Sequence, residues 1–344
     1  MLIYGELGGV EKYVLTNYKF VKSIVEDICN TINGNVLWSC GTAFLIEGGI
    51  DAVTKKELSM EVYNTFDGDV YLSIGSGNNW AEILNSLEES KTKKFSEILD
   101  EIEFIKDNYE FDEEKFTLKQ KTAILKLSID NLNQKLLKMN KDQIVGVIRK
   151  ISTIFGDNIT VGLDTAYIIG NWKDVLNSAF NIRNNLKNLG FTASAGFGIF
   201  NSSIPIDNII KTLDNYLNVA KLEGGDRIYL FNRKKPNDNF YITYNWDELE
   251  KLSKKYFPKF KKVSKSLLWK ILEFHNLYTK NPKSLAWHYN LAYHLTRSNT
   301  NKLKVDELFS DLLIINSNNF KNNKPQEIYY IDGILKLYLL EERG

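Results

Sequence analysis

Few residues in this chain have both the type and the spacing to do chemistry. Asp130 closes the apolar run Ala123 to Asn131 (AILKLSIDN), inside the string Ser128-Ile129-Asp130-Asn131. Asp164 stands in a second string, Gly162-Leu163-Asp164-Thr165, between two apolar stretches. Carboxylates are the hard oxygen donors that divalent cations such as Mg²⁺ take. Other candidates are weaker. His275, His288 and His294 fall near the C-terminal end, with no His-Asp dipeptide and no acid at metal-ligand spacing, and read as packing or surface residues. Cys29 and Cys40 show no CxxC or Cys/His spacing, so no zinc is expected and both read as reduced thiols. Gly5, Gly8 and Gly9 form no dinucleotide fingerprint. Glu223-Gly224-Gly225-Asp226-Arg227 gathers glycines and acids, but it follows a helical pattern and precedes a strand, which fits a helix C-cap. Lys254, Lys255, Lys259, Lys261, Lys262 and Lys265 interleave with Tyr256, Phe257 and Phe260. This run can meet RNA phosphates, through Lys259, Lys261 and Lys262, although a solvated helix face is the plainer reading.

Composition bounds the rest. A chain of 344 residues can hold two or three domains. With 44 basic and 43 acidic residues the net charge is +1, so no global field draws in nucleic acid and any such binding needs a local patch. No leader pattern and no apolar run of ~18 residues is present, which predicts no membrane partner and a cytoplasmic location.

The elements that must position the two acids follow from periodicity. A strand (LIYGEL) opens the chain, then a helix from about Tyr13 to Ile32, a hairpin of Asn35 to Ser39 and Thr42 to Ile46 around Cys40-Gly41, a helix near Lys56 to Thr65, and a strand from Asp69 to Ile74. This β-α-β-β-α-β order is ferredoxin-like. The order recurs later. Ala123 to Asn131 is a strand, Lys141 to Phe155 a helix, Asn158 to Ile169 a hairpin turning at Gly162, Val175 to Leu189 a helix and Thr192 to Phe200 a strand. Pro205 then opens a helix with apolar Ile209, Ile210, Leu213, Leu217 and Ala220, before a strand at Arg227 to Phe231. The expected class is α+β: residues 1–89 a first ferredoxin-like domain, 90–118 a charged helical linker or insertion, 119–239 a second such domain, and 240–344 an all-helical domain with one ambiguous run at Glu327 to Ile331.

These strings resemble the large subunit of type III CRISPR effector complexes (Csm/Cmr type), whose palm domains are related to diguanylate cyclases and nucleic-acid polymerases. In that family a first strand ends near D-x-D-N-L-G, a hairpin turn reads G-G-D-D, a G-x-W element follows, and a small-Ala-Gly strand, a Pro-started helix and an AK…G…RI.LF ending close the palm. Here the matching places are Ser128-Ile129-Asp130-Asn131-Leu132, Gly162 to Thr165, Gly170-Asn171-Trp172 and Phe191 to Phe231. Glu223 to Arg227 then corresponds to the closing turn. Val263 to Trp269 and Trp287 to Arg297 are similar to the family's last helical domain, with Ser264 as the expected N-cap.

The resemblance implies a palm that joins a 3′ hydroxyl to an α-phosphate with two metals held by carboxylates. It also implies that the acids here are thinned. Ser128 stands where the first strand acid belongs, Leu163 replaces the second turn glycine and Thr165 the last acid, leaving a degenerate GGDD motif. Asp130 and Asp164 can share one Mg or Mn ion, and Ser128, Asp130, Asn131 and Asp164 are the expected nucleotide contacts, with ATP as the ligand. A two-metal site is not expected. The chain opens in the first palm-like unit, so the family's HD nuclease domain is expected to be absent. The implied role is a scaffold with an impaired cyclase palm. Its implied partners are crRNA, target RNA, the repeat-handle-binding (Cas-five-like) subunit, the backbone (Cas-seven-like) subunits and small helical subunits. The alternatives are an active palm making cyclic or linear oligoadenylates and a stand-alone nucleotide sensor.

Overall fold

The structure, a computed structural model, describes residues 1–93, 122–201, 203–230, 243–281, 285–297, 312 and 327–341. It divides into two compact units, Met1–Lys221 and Leu222–Gly344. The fold is α+β, as the periodicities predict.

The first unit opens with β1 (Leu2–Gly8), α1 (Glu11–Thr31), β2 (Gly34–Ser39), β3 (Ala43–Gly48), α2 (Ala52–Thr65), β4 (Tyr71–Gly77) and α3 (Trp80–Lys93). The strands lie in the order β2-β3-β1-β4, and every pairing is antiparallel. Ile3, Leu7, Phe44 and Ile74 of the sheet meet Val14, Val21 and Val25 of α1 and Leu58 and Val62 of α2 in one core. On β4, a Cβ at Gly75 would lie 2.2 Å from the Ile83 carbonyl oxygen, so glycine is what lets α3 pack directly on the strand. α1 breaks once, at Asn17 (φ −146°, ψ 72°), whose Oδ1 accepts from the Phe20 N–H and caps the second segment. α3 crosses position 89/90, where the sequence suggests the first domain ends; the linker beyond Lys93 lies outside the described residues.

The same unit repeats the pattern with β5 (Thr122–Ile129), short α4 (Leu132–Leu136), α5 (Lys141–Phe155), β6 (Ile159–Val161), β7 (Thr165–Gly170), α6 (Trp172–Asn188), β8 (Ala193–Phe200) and α7 (Ile206–Leu222). Strand neighbours run β8-β5-β7-β6, the same antiparallel arrangement as in the first half. Asn140 and Gln143 form a reciprocal capping box that fixes the start of α5 at the predicted residue. α7 lies close to β8 because Gly196 has no side chain: a Cβ there would meet Leu213 O at 2.8 Å. Ile124, Tyr167, Phe200, Ile209 and Leu213 pack together, and Leu15 of α1 joins them.

Polar contacts also tie the halves of this unit together. Lys126, 6% exposed, donates from Nζ to Glu11 Oε1 (2.6 Å) and to Asp214, over the Tyr167 ring. Lys141 pairs with Glu47, and Arg149 Nε donates to Leu37 O at 3.0 Å.

The second unit contains β9 (Arg227–Leu230) and β10 (Thr243–Asn245), which pair antiparallel. Helices α8 (Trp246–Phe260), α9 (Lys265–Lys280), α10 (Ala286–Arg297) and α11 (Ile331–Glu341) follow. Ser264 caps α9 by accepting from the Leu267 N–H, as expected. β10 is a strand the sequence did not announce. The ambiguous run at Glu327 is a 3₁₀ turn, Glu327–Tyr330, and not a strand. Among the described residues no helix is long and apolar enough to cross a membrane.

Candidate functional site

The two acids singled out by type come together on the second half's sheet. Ser128, near the end of β5, faces Thr165 across β7 on one side and Ser194 across β8 on the other. Its hydroxyl donates to Asp164 Oδ2 at 3.0 Å, while the Thr165 hydroxyl donates to Asp164 Oδ1 at 3.0 Å. Ser194 Oγ donates to Asp130 Oδ1 at 2.7 Å. Asp130 and Asp164 are thus each bonded to one member of the facing Ser128–Ser194 pair. Lys221 Nζ, at the end of α7, donates to Ser128 Oγ at 2.9 Å and brings a positive charge to the cluster.

The turn itself is a three-residue connection between β6 and β7, with Gly162 in the left-handed region at φ +62°. Leu163 is 7% exposed, so its side chain points into the protein. The Asp164 carbonyl accepts from the Ile129 N–H at 2.8 Å, locking the turn to the end of β5. Asn131 also takes a left-handed conformation (φ 54°) and starts α4, which turns the chain away just past Asp130.

Glu6 of the first half reaches the same turn. Glu6 Oε2 lies 3.8 Å from where a Gly162 Cβ would stand. Its carboxylate accepts from Tyr4 OH at 2.8 Å and pairs with Lys91 Nζ at 2.9 Å. Burial, then the charge of Glu6, push the Tyr4 phenol well above its ordinary value, with Cys40 and Asp164 adding to the shift. The Tyr4 hydroxyl therefore stays protonated and a donor.

A two-metal centre needs several carboxylate oxygens directed at the ions. Both Asp164 oxygens already accept from hydroxyls, one Asp130 oxygen accepts from Ser194, and Ser128 brings a hydroxyl where a third acid would stand. Among the described residues no three His, Cys, Asp or Glu side chains are grouped so that they could hold a metal ion. The residues present do not fit a metal pair.

Glu223 to Arg227 behaves as the helix C-cap expected. Gly224, Gly225 and Asp226 all have positive φ just past α7, and Glu223 accepts from the Thr243 hydroxyl at 3.0 Å. In the second unit Lys259 is half-buried against the Tyr256 ring, and Lys261 and Lys262 are exposed at the end of α8. His275 is buried with Nδ1 3.9 Å from Asp332 Oδ1, and His294 packs on Phe274, so both sit in packing positions. Sequence reasoning did not single out Ser194, Lys221, Glu6 or Thr42. Only Lys221 left a local trace, in the Ala220-Lys221 pair at the end of its helix.

No family model matches the chain. It is 30% identical over 199 residues to the CRISPR system single-strand-specific deoxyribonuclease Cas10/Csm1 (subtype III-A) of Thermococcus onnurineus (strain NA1). That match takes in 54% of this chain but 25% of the relative, so the chain spans about a quarter of the curated protein it matches. Crystal structures of Csm1–Csm4 align over 98% of the chain and 69% of the matched chain. The apo cassette gives a TM-score of 0.76 at 19% identity and the cassette in complex with cA4 gives 0.75 at 20%. The Csm1–Csm4 subcomplex of the type III-A CRISPR-Csm interference complex gives 0.74 at 19% identity. Over nearly all its length the chain therefore has the fold of the Csm1–Csm4 structures, and over 199 residues it is similar in sequence to a Cas10/Csm1 protein of a type III-A CRISPR system.

Proposed function

We propose that the chain serves as the large subunit of a type III CRISPR effector complex and acts chiefly as a scaffold, its cyclase palm impaired. The observation that carries the second part is the state of Asp164: both oxygens accept from the Ser128 and Thr165 hydroxyls, and the Lys221 ammonium is bonded to that same Ser128. Hydroxyls and an ammonium thus surround Asp164 where a two-metal site would need further carboxylates. The first part is supported by the sequence relative and by the crystal structures of Csm1 joined to Csm4. On this reading the chain caps the crRNA 5′ end with a Cas-five-like subunit beside the backbone subunits. Its helical region seats small subunits, and Lys259, Lys261 and Lys262 touch RNA only in the assembled complex. A net charge of +1 fits that dependence, because counterion release scales with the phosphates neutralised.

The test is co-purification. Tagged protein expressed with its neighbouring genes is expected to bring down crRNA and backbone subunits, and deletion after Asn245 to release the small subunits. Purification alone, without RNA, would contradict the scaffold reading and favour a nucleotide sensor. A second reading, an active palm using Mg or Mn, draws on the proximity of Asp130 and Asp164 to one serine pair and on related structures in complex with AMPPNP and with one ATP.

A further inference from the structure

The first half reaches into the second half's turn with three consecutive residues, Cys40-Gly41-Thr42, from the loop between β2 and β3. Thr42 is fully buried, and its Oγ1 accepts from the Gly162 N–H at 2.7 Å while donating to the Thr160 carbonyl at 3.4 Å. Cys40 Sγ donates to the Gly162 carbonyl at 3.6 Å, a sulphur contact. Tyr18 OH and Thr160 Oγ1 are hydrogen-bonded at 3.1 Å, with either hydroxyl able to donate, and the Tyr18 ring covers Gly41, where a Cβ would lie 2.0 Å from Cε2. The clasping loop is itself anchored: Leu7 N–H donates to the Thr42 carbonyl and Cys40 N–H to the Ala43 carbonyl, each at 2.8 Å. Both backbone groups of Gly162 are therefore taken by one loop of the other half.

That arrangement bears on phosphate binding. Glycine turns hold phosphates by directing backbone N–H groups at the anion. Gly162 has the positive φ and open surroundings such a turn needs, with nothing nearer an added Cβ than the Glu6 oxygen at 3.8 Å. Its N–H nevertheless points at a buried threonine. We propose that Cys40-Gly41-Thr42 is an intramolecular clasp that withholds the Gly162 N–H from a nucleoside triphosphate, with Thr42 as the residue that positions the turn. This rests on the impaired-palm reading and gives it a cause besides the thinned acids.

The experiment uses the full-length chain with two variants, Thr42→Val, which keeps the branched shape and loses the acceptor, and Thr42→Ser, which keeps it. Hydrogen exchange at the Gly162 amide and equilibrium binding of ATP, with and without Mg²⁺, are the readouts. Thr42→Val is expected to speed Gly162 exchange at least ~10-fold, as loss of a hydrogen bond worth about 1.4 kcal/mol would, and to tighten ATP binding several-fold. Thr42→Ser is expected to restore both to wild-type values. Should Thr42→Val fail to fold, Cys40→Ala removes the thiol contact to the Gly162 carbonyl while leaving the Thr42 hydroxyl in place, and is expected to act in the same direction, more weakly. Unchanged Gly162 exchange, or faster exchange with no gain in ATP affinity, would overturn the clasp. Robust cyclic oligoadenylate synthesis by the wild-type complex would instead overturn the impaired-palm reading, so the two failures are distinguishable.

Discussion

At the scale of single residues, a hydroxyl in place of an acid changes what its neighbours must do. Ser128 is 1% exposed, donates to Asp164 and accepts from Lys221. Removing it leaves a carboxylate oxygen and an ammonium without that partner. Ser128→Ala is therefore expected to destabilise the chain by about 1–3 kcal/mol, measured by urea unfolding. An unchanged midpoint would show that the cluster is not held through this hydroxyl. Gly162→Ala tests the turn on its own: nothing blocks a Cβ, so the cost should be the left-handed conformation alone, ~1–2 kcal/mol. Much of this site was legible in the sequence. Asp130 and Asp164 stood out because they fall where the resembled family's first-strand and turn motifs carry acids, and Gly162 marked the turn. Ser194 did not, because its role comes from register with Ser128 across two strands. Thr42 was invisible for a stronger reason: its partners Thr160 and Gly162 lie more than a hundred residues away, and only the packing of the two halves brings Thr42 and Glu6 to the turn.

At the scale of elements, helices were read well where the apolar spacing was regular, as for α5 from Lys141, and where a cap was expected, as at Ser264 for α9. β10 was missed because three residues carry no periodicity, and α3 because its apolar stripe of Trp80, Ile83 and Leu87 merges into a charged stretch. Glycines give the sharpest element-level test. Gly75→Ala would drive a methyl to 2.2 Å from the Ile83 carbonyl oxygen and push α3 off the sheet. An overpacking cost of about 1–3 kcal/mol is expected. Gly146 lies within α5 with nothing within 4 Å of an added Cβ, so Gly146→Ala is expected to stabilise the chain by ~0.5–1 kcal/mol. Thermal unfolding of the two variants should therefore shift in opposite directions, and a shift of the same sign would contradict the packing described.

At the scale of the whole molecule, the titrating groups set a pH range. Burial first, with nearby acids, lifts the phenols of Tyr4, Tyr13, Tyr167 and Tyr330 above their ordinary value of 10.0, and burial lifts the Cys29 thiol to about 11. Burial pulls the Lys91 ammonium down, but Glu6 and Glu88 more than reverse this and leave it raised. A group raised on folding stabilises fully below its unfolded value and loses that contribution as pH climbs towards its folded one. Melting temperature is thus expected to fall from about pH 9 upward, where free thiols and then phenols and amines begin to titrate. Tyrosinate absorbance should rise in step with unfolding; full phenol titration with the fold intact would contradict these burials.

The proposal that joins these scales is a large subunit whose palm keeps its fold while its acids and its turn are occupied from within. Its most direct test is product formation. The purified effector complex, given target RNA, ATP and Mg²⁺ or Mn²⁺, is expected to yield little or no cyclic or linear oligoadenylate, and Asp130→Ala and Asp164→Ala should leave that low yield unchanged. Robust product that either substitution abolishes would contradict the account.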